Sequence, residues 1–182
     1  MTKATHDPIR RGSPLWITLT ALLMGMNILL SMSVFSVPVP GGHLYFCDAI
    51  INIAAVLLDP LAAFFVGGVG SFLGDFFFYP APMFVSLVTH GLQAVVVSLI
   101  SHHVLQEHRV LSVSLGTTVG AILMVIGYTV GRAWVYSTPE MAILKLPWEI
   151  VQGAFGVVVA ILLLFPAGLE KSFHRVLHGG KG

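Results

Sequence analysis

Charge is scarce in this chain. Only 9% of its 182 residues are Asp, Glu, Lys or Arg, against 56% hydrophobic, where a soluble domain carries about 25% charged residues. A soluble core of this length cannot hide so much apolar surface, so the chain is an integral membrane protein, and 182 residues suit a single domain, 1–182. Cysteine is nearly absent. The single Cys47 excludes an internal disulfide and any CxxC metal or redox site. A net charge of +1, with no basic run interleaved with aromatics, excludes a nucleic-acid partner. Motifs of soluble chemistry are missing too. Without GxxxxGK[ST] the chain does not itself hydrolyse ATP, and without HExxH or GxSxG it lacks the common hydrolase signatures.

What is present is a series of apolar runs. A spanning helix needs about 20 apolar residues, and Pro/Gly punctuation divides the chain into helices expected at about 15–35, 44–58, 61–79, 83–105, 111–136 and 147–169. The fold class expected is therefore an all-α membrane protein of six transmembrane helices, the second one short. The first run is too long for a signal-peptide core and lacks a small-residue cleavage site. Residues 36–43 (SVPVPGGH), 79–82 and 137–146 (STPEMAILKL) are expected loops. Asp59-Pro60 breaks the chain between the second and third helices, because a residue before proline is pushed out of helical geometry. Pro147 is expected in the first turn of the last helix.

Lys3, Arg10, Arg11, Arg109, Lys171, Arg175 and Lys181 fall on one side of such a bundle, and only Lys145 lies in the loops of the other. By the positive-inside rule both termini are cytoplasmic and those loops are external.

The stretch 43–94 organises the rest. Ala63, Gly67, Ser71 and Gly70, Gly74 are small residues four apart, which allow close helix approach. Polar residues collect toward the outer leaflet: Asp48, Asp75, Tyr79, His90, Gln93, Tyr128, Arg132, Tyr136, Trp148, Glu149 and Gln152. A charge at membrane depth costs several kcal/mol unless paired or hydrated. Arg132 facing Asp48, Asp75 or Glu149 would offset it. Aromatic belts and headgroup contact explain single members of this set; their convergence fits a small-ligand pocket. Substrate binding is accordingly expected at Asp48, Asp75, Tyr79, His90, Gln93, Arg132, Trp148 and Gln152, with no catalytic or metal site. The histidines His102, His103, His108, His174 and His178 show no metal-site spacing. Ser71 with His90 would allow an intramembrane protease dyad, and Asp75 with His90 a proton-coupled carrier, but VGSFLG reads as packing and no matching halves are visible.

Gly42–Leu58, LAAFFVGGVGSFLGDFFFYP (61–80), THGLQAVVVSL (89–99) and LPWEIVQGAFGVVVAILL (146–163) together resemble the substrate-binding S components (EcfS) of energy-coupling factor (ECF) vitamin transporters. The resemblance implies an S-component bundle that captures a water-soluble vitamin at the outer face. It implies a cavity capped by residues 36–43 and roofed by 137–146. It also implies a membrane coupling protein (EcfT) and two ATPase subunits (EcfA and EcfA') as partners, no cofactor in this chain because ATP is hydrolysed by those partners, and a prokaryotic cell membrane. The family's small-residue patch on helix 1 matches Ala21 and Gly25, expected at the coupling-protein interface, with glycine in place of the usual second alanine. Blocks 61–99 most resemble members that take riboflavin-like, hydroxymethylpyrimidine or pyridoxine substrates, with cobalamin as a competitor.

Overall fold

The computed structural model describes residues 9–32 and 35–179. Lys3 and Lys181, used above for orientation, lie outside the described residues, as do Ser33 and Val34 of the expected first helix.

Seven helices and one hairpin make up the described chain. Helix α1 spans Pro14–Leu30, with Ser13 as its cap accepting from the Trp16 N–H and Pro14 in the first turn, where no donor is needed. It stops at Leu30 rather than continuing to Phe35. The Pro/Gly-rich stretch that follows is not irregular. Strands β1 (Val37–Val39) and β2 (Gly42–Leu44) pair antiparallel, Val37 facing Leu44. Pro40 and Gly41 occupy the turn, and Gly41 has φ +83°, which a type II turn requires at its second central position.

Helix α2 (Cys47–Leu57) starts later than expected, because the hairpin takes Leu44. Its 11 residues rise about 16 Å, half a bilayer core. Cys47 through Val56 are all buried. The helix is short because it is enclosed: it packs on α1, on α3 (Pro60–Phe78), on α4 (Met83–His103) and on α6 (Pro139–Leu164). Helix α5 (Arg109–Tyr136) closes the ring by packing between α4 and α6. Helices α3, α4, α5 and α6 are each long and apolar enough to cross a membrane; α1, at 17 residues, and α2 are shorter. The structure is thus an all-α membrane protein. A final amphipathic helix, α7, covers Leu169–Gly179.

The expected loop 137–146 is helical from Pro139 onward. Thr138 caps α6 through Met141 N–H, Pro139 opens it, and Pro147 lies inside it rather than at its start. Asp59 caps α3, accepting from Leu61 and Ala62 N–H, and also accepts from the Trp16 indole at 2.5 Å.

Small residues set the spacing of α3, as the sequence pattern indicates. A side chain at Gly67 would meet the His90 carbonyl oxygen at 2.7 Å, and one at Gly74 would meet Ser31 Cβ at 2.7 Å. Around Gly67 the helix makes one π-turn, Phe65–Val69. A second π-turn, Arg132–Tyr136, ends α5. The insertion of an extra residue re-aims side chains locally, and here it faces Arg132 and Tyr136 toward the site.

Candidate functional site

Chain direction alternates between helices, so the last turns of α3 and α5, the first turns of α4 and α6, and the hairpin share one end of the bundle. A cavity opens there. Its lining includes Asp75 and Ser71 from α3, His90 from α4, Tyr128, Arg132 and Tyr136 from α5, and Lys145, Glu149 and Gln152 from α6. Gly42, His43, Tyr45 and Cys47 close it from the hairpin side, and Tyr79 stands at its edge, half exposed. All four tyrosines of the chain line this one cavity.

Behind the lining runs a chain of hydrogen bonds. Tyr45 N–H donates to Gln152 Oε1 at 3.0 Å, and Gln152 Nε2 donates to Asp48 Oδ2 at 2.8 Å. The other Asp48 oxygen accepts from Gln93 Nε2 at 3.0 Å. Since the Gln93 amide nitrogen faces Asp48, its oxygen accepts from His90 Nδ1, 2.7 Å away. With the Gln93 oxygen facing it, Nδ1 of His90 carries a hydrogen. Asp48 is 1% exposed and the His90 ring lies 3.9 Å from it. Its position depends on Gly156, where a side chain would approach Asp48 Cβ to 2.5 Å.

A second set holds Asp75. Ser86 Oγ donates to Asp75 Oδ2, and Tyr128 O–H donates to Ser86 at 2.6 Å. The Tyr128 ring meets the His90 ring edge to face, with centroids 5.1 Å apart.

A third set ties down the hairpin. Arg132 Nη1 donates to Gly41 O at 2.9 Å, and Lys145 Nζ donates to His43 O at 2.7 Å. Both cations share Glu149, at 3.3 and 3.7 Å respectively. The Arg132 guanidinium also lies 5.2 Å from the Tyr136 ring centre, a cation–π distance. Burial raises the Tyr45 phenol above its ordinary value, so it remains a protonated donor at the cavity wall.

Of the residues expected to bind substrate, the structure brings Asp75, Tyr79, His90, Arg132 and Gln152 to the cavity surface. Asp48 and Gln93 stand one layer behind, where they fix His90 and Gln152. Trp148 is not part of the lining. One residue along a helix turns about 100°, which rotates Trp148 off the face shared by Lys145, Glu149 and Gln152. Of the expected partners for Arg132, Glu149 is the one it meets. Sequence reasoning missed Tyr45, Ser86 and Lys145 as parts of the site. The sequence pattern places Lys145 in a loop, yet it is 1% exposed on a helix.

Ser71 does not pair with His90 in a dyad: its Oγ accepts from Asn27 Nδ2 at 3.1 Å, and His90 Nδ1 is engaged by Gln93. Among the described residues, one group has donor atoms close enough to hold a metal ion. These are Cys47, Asp48 and His90, with ligand atoms within 4.8 Å of one another. Both Asp48 oxygens and His90 Nδ1 are already committed to the amide network.

At the interface positions on α1, Ala21 is exposed and a side chain at Gly25 would meet no atom within 4 Å. The small-residue patch therefore faces outward.

Comparison with known proteins agrees with this architecture. A protein of Pyrococcus woesei, described as an uncharacterized protein in gap 3'region, is 38% identical over 125 residues, which is 68% of this chain and 82% of that protein. The family model for the ECF-type riboflavin transporter, S component, matches residues 13–171. The chain belongs to this family of vitamin-uptake S components and is a multi-pass membrane transport protein, not an enzyme.

Proposed function

We propose that this chain is the high-affinity substrate-binding subunit of an ECF-type importer, capturing a water-soluble vitamin or precursor in the cavity under the β1–β2 hairpin. The observation that carries the reading is the closed polar site at one end of the bundle. Asp48, Asp75, His90 and Gln152 are each held by a neighbouring side chain, and the hairpin over the site is fastened by two cations, the buried Lys145 and the partly buried Arg132. Such a site binds and retains a small molecule.

On this reading residues 1–182 form one membrane domain. Helices α1 to α6 all reside in the bilayer as the six-helix bundle, with α2 enclosed by its neighbours. The site end faces outward. The opposite end carries Arg11, Arg109, Lys171 and Arg175, which supports cytoplasmic termini by the positive-inside rule. The cavity residues Asp75, Tyr79, His90, Arg132 and Gln152 contact ligand, with Asp48 and Gln93 supporting them. S components in this family work with a membrane coupling protein and ATPase subunits, and the outward patch at Ala21 and Gly25 fits close approach of a partner helix. The ATP is spent by those partners, and this chain needs no cofactor. The ligand is a flat heterocycle, riboflavin-like or hydroxymethylpyrimidine- or pyridoxine-like, with cobalamin as the competitor.

The test is reconstitution. Proteoliposomes holding this chain with the coupling protein and ATPases should take up the vitamin that co-purifies, as identified by mass spectrometry, only when ATP is supplied. Uptake by the isolated chain, driven by a pH gradient without ATP, would overturn the proposal.

A further inference from the structure

The charges around the cavity are unevenly matched. The described residues include four buried carboxylates: Asp48, Asp75, Glu149 and Glu170. Asp48 lies behind the cavity wall and accepts from the Gln93 and Gln152 amides, while Glu149 and Glu170 each have a cation within 4 Å: Arg132 and Lys145 at Glu149, and Arg109 at Glu170. Asp75 has none among the described residues. It is 8% exposed, faces the cavity, and takes its hydrogen bond from a neutral hydroxyl, Ser86. A buried carboxylate without a counter-charge is costly, and proteins rarely keep one unless something supplies the missing positive charge.

The cations nearby are not free to do so. Arg132 and Lys145 each donate to a hairpin carbonyl and share Glu149. Those same bonds argue against an anionic ligand, because an anion would have to pull both cations off the hairpin that closes the site.

The remaining wall is rich in π-systems. Tyr45, Tyr79 and Tyr128 surround the Asp75 end with His90, and aromatic faces with a nearby carboxylate are the usual surroundings of a bound organic cation. Among the described residues the Tyr136 hydroxyl has no hydrogen-bond partner, although it is buried in a residue of the cavity wall. An unsatisfied hydroxyl inside a ligand site marks a place where the ligand completes the bond.

We propose that the ligand of this site is a nitrogen heterocycle carrying a positive charge, with its cationic or N–H edge on Asp75 and a polar substituent on the Tyr136 hydroxyl. This rests on the vitamin-capture reading and narrows it, since it favours a cationic amine-bearing ring over a neutral one such as isoalloxazine.

The experiment is equilibrium binding to the purified full chain in lipid nanodiscs, using four probes: pyridoxamine, pyridoxine, thiamine and riboflavin. Pyridoxamine and pyridoxine differ by an ammonium in place of a hydroxyl, so their ratio reads the charge directly. The expected result is at least tenfold tighter binding of pyridoxamine than pyridoxine, or of thiamine than riboflavin. Asp75→Asn should erase that preference, and Tyr136→Phe should weaken the preferred cation several-fold. The wild-type preference stands as a test even if Asp75→Asn fails to fold. Riboflavin tighter than both cations, a preference that survives in folded Asp75→Asn, or no binding of either cation would each overturn the inference. Tight riboflavin binding with ATP-dependent uptake would overturn it while leaving the S-component reading in place.

Discussion

Arg132 donates through Nη1 to the carbonyl oxygen of Gly41 at 2.9 Å, joining the end of α5 to the hairpin turn 91 residues earlier. With Lys145 on His43 O, it makes a two-point fastening of the cap. Hydrogen bonds from charged donors contribute about 1.5–3 kcal/mol each. Arg132→Ala should therefore speed ligand release roughly tenfold or more, and should expose the 36–45 segment to protease. Stopped-flow dissociation and limited proteolysis, each with and without ligand, check both effects. Unchanged release would show that the hairpin is held by other contacts.

Gln152 is the hinge between cap and floor, since one end accepts from Tyr45 N–H and the other donates to Asp48. Gln152→Ala strands both partners in a buried place, and an unsatisfied buried group costs about 1–3 kcal/mol. Affinity should fall by roughly tenfold, with a lower melting temperature in detergent. Gln152→Glu should be worse than Gln152→Ala, because it sets a second carboxylate against Asp48. Melting curves and binding isotherms on the two variants give the order directly.

Gly156 and Gly25 make opposite predictions for an added side chain. A methyl group at Gly156 would overlap Asp48, while one at Gly25 meets nothing within 4 Å. Overpacking a closed interface typically costs about 1–3 kcal/mol, so Gly156→Ala should destabilise the chain and weaken binding together. Gly25→Leu, with Ala21→Leu, should leave melting and ligand affinity unchanged. It should abolish assembly with the coupling protein, read by co-purification, because bulk there holds helices apart. Normal assembly of the Gly25→Leu variant would place the coupling interface elsewhere.

Much of this was legible in the sequence, for reasons that single residues show. Asp75, His90 and Gln152 stand out because polar side chains in apolar runs need a purpose, and all three reach the cavity. The spacing of Gly67, Gly70 and Gly74 announced a closely packed helix. The hairpin was not legible: its strands are three residues long and contain a proline, so hydrophobic alternation had no length in which to show. The start of α6 was legible but misread. Thr138-Pro139-Glu140 is a helix-start pattern, and Pro147 diverted attention from it; once Pro147 is inside the helix, Lys145 turns from a loop residue into a buried one. The enclosure of α2 could not be read at all. Apart from Asp48 and Asn52 its residues are apolar and suit lipid and protein surroundings equally, and the packing of four neighbours distinguishes them.

At the far end of the bundle, Arg109 does for α2 and α4 what capping side chains do elsewhere. Its guanidinium donates to the carbonyl oxygens of Val56 and Ser101, near the ends of those helices, and pairs with Glu170 of α7 at 2.7 Å. Carbonyls near helix ends lack intrahelical partners, and a cation there is favoured by the helix dipole. Arg109→Ala would leave both carbonyls without this donor and Glu170 buried without its counter-charge. The loss from such a half-broken pair runs to about 3–5 kcal/mol when fully buried, and less here because Arg109 retains some exposure. Arg109→Lys should recover part of the stability, since a single ammonium reaches fewer acceptors than a guanidinium fork. The double variant Arg109→Ala with Glu170→Gln should melt above Arg109→Ala alone, because removing the orphaned charge relieves its desolvation. Ligand affinity should stay near wild type in all folded variants, since none of these residues lines the cavity. A double variant no more stable than Arg109→Ala would mean that the carbonyl contacts, rather than the ion pair, hold this end together.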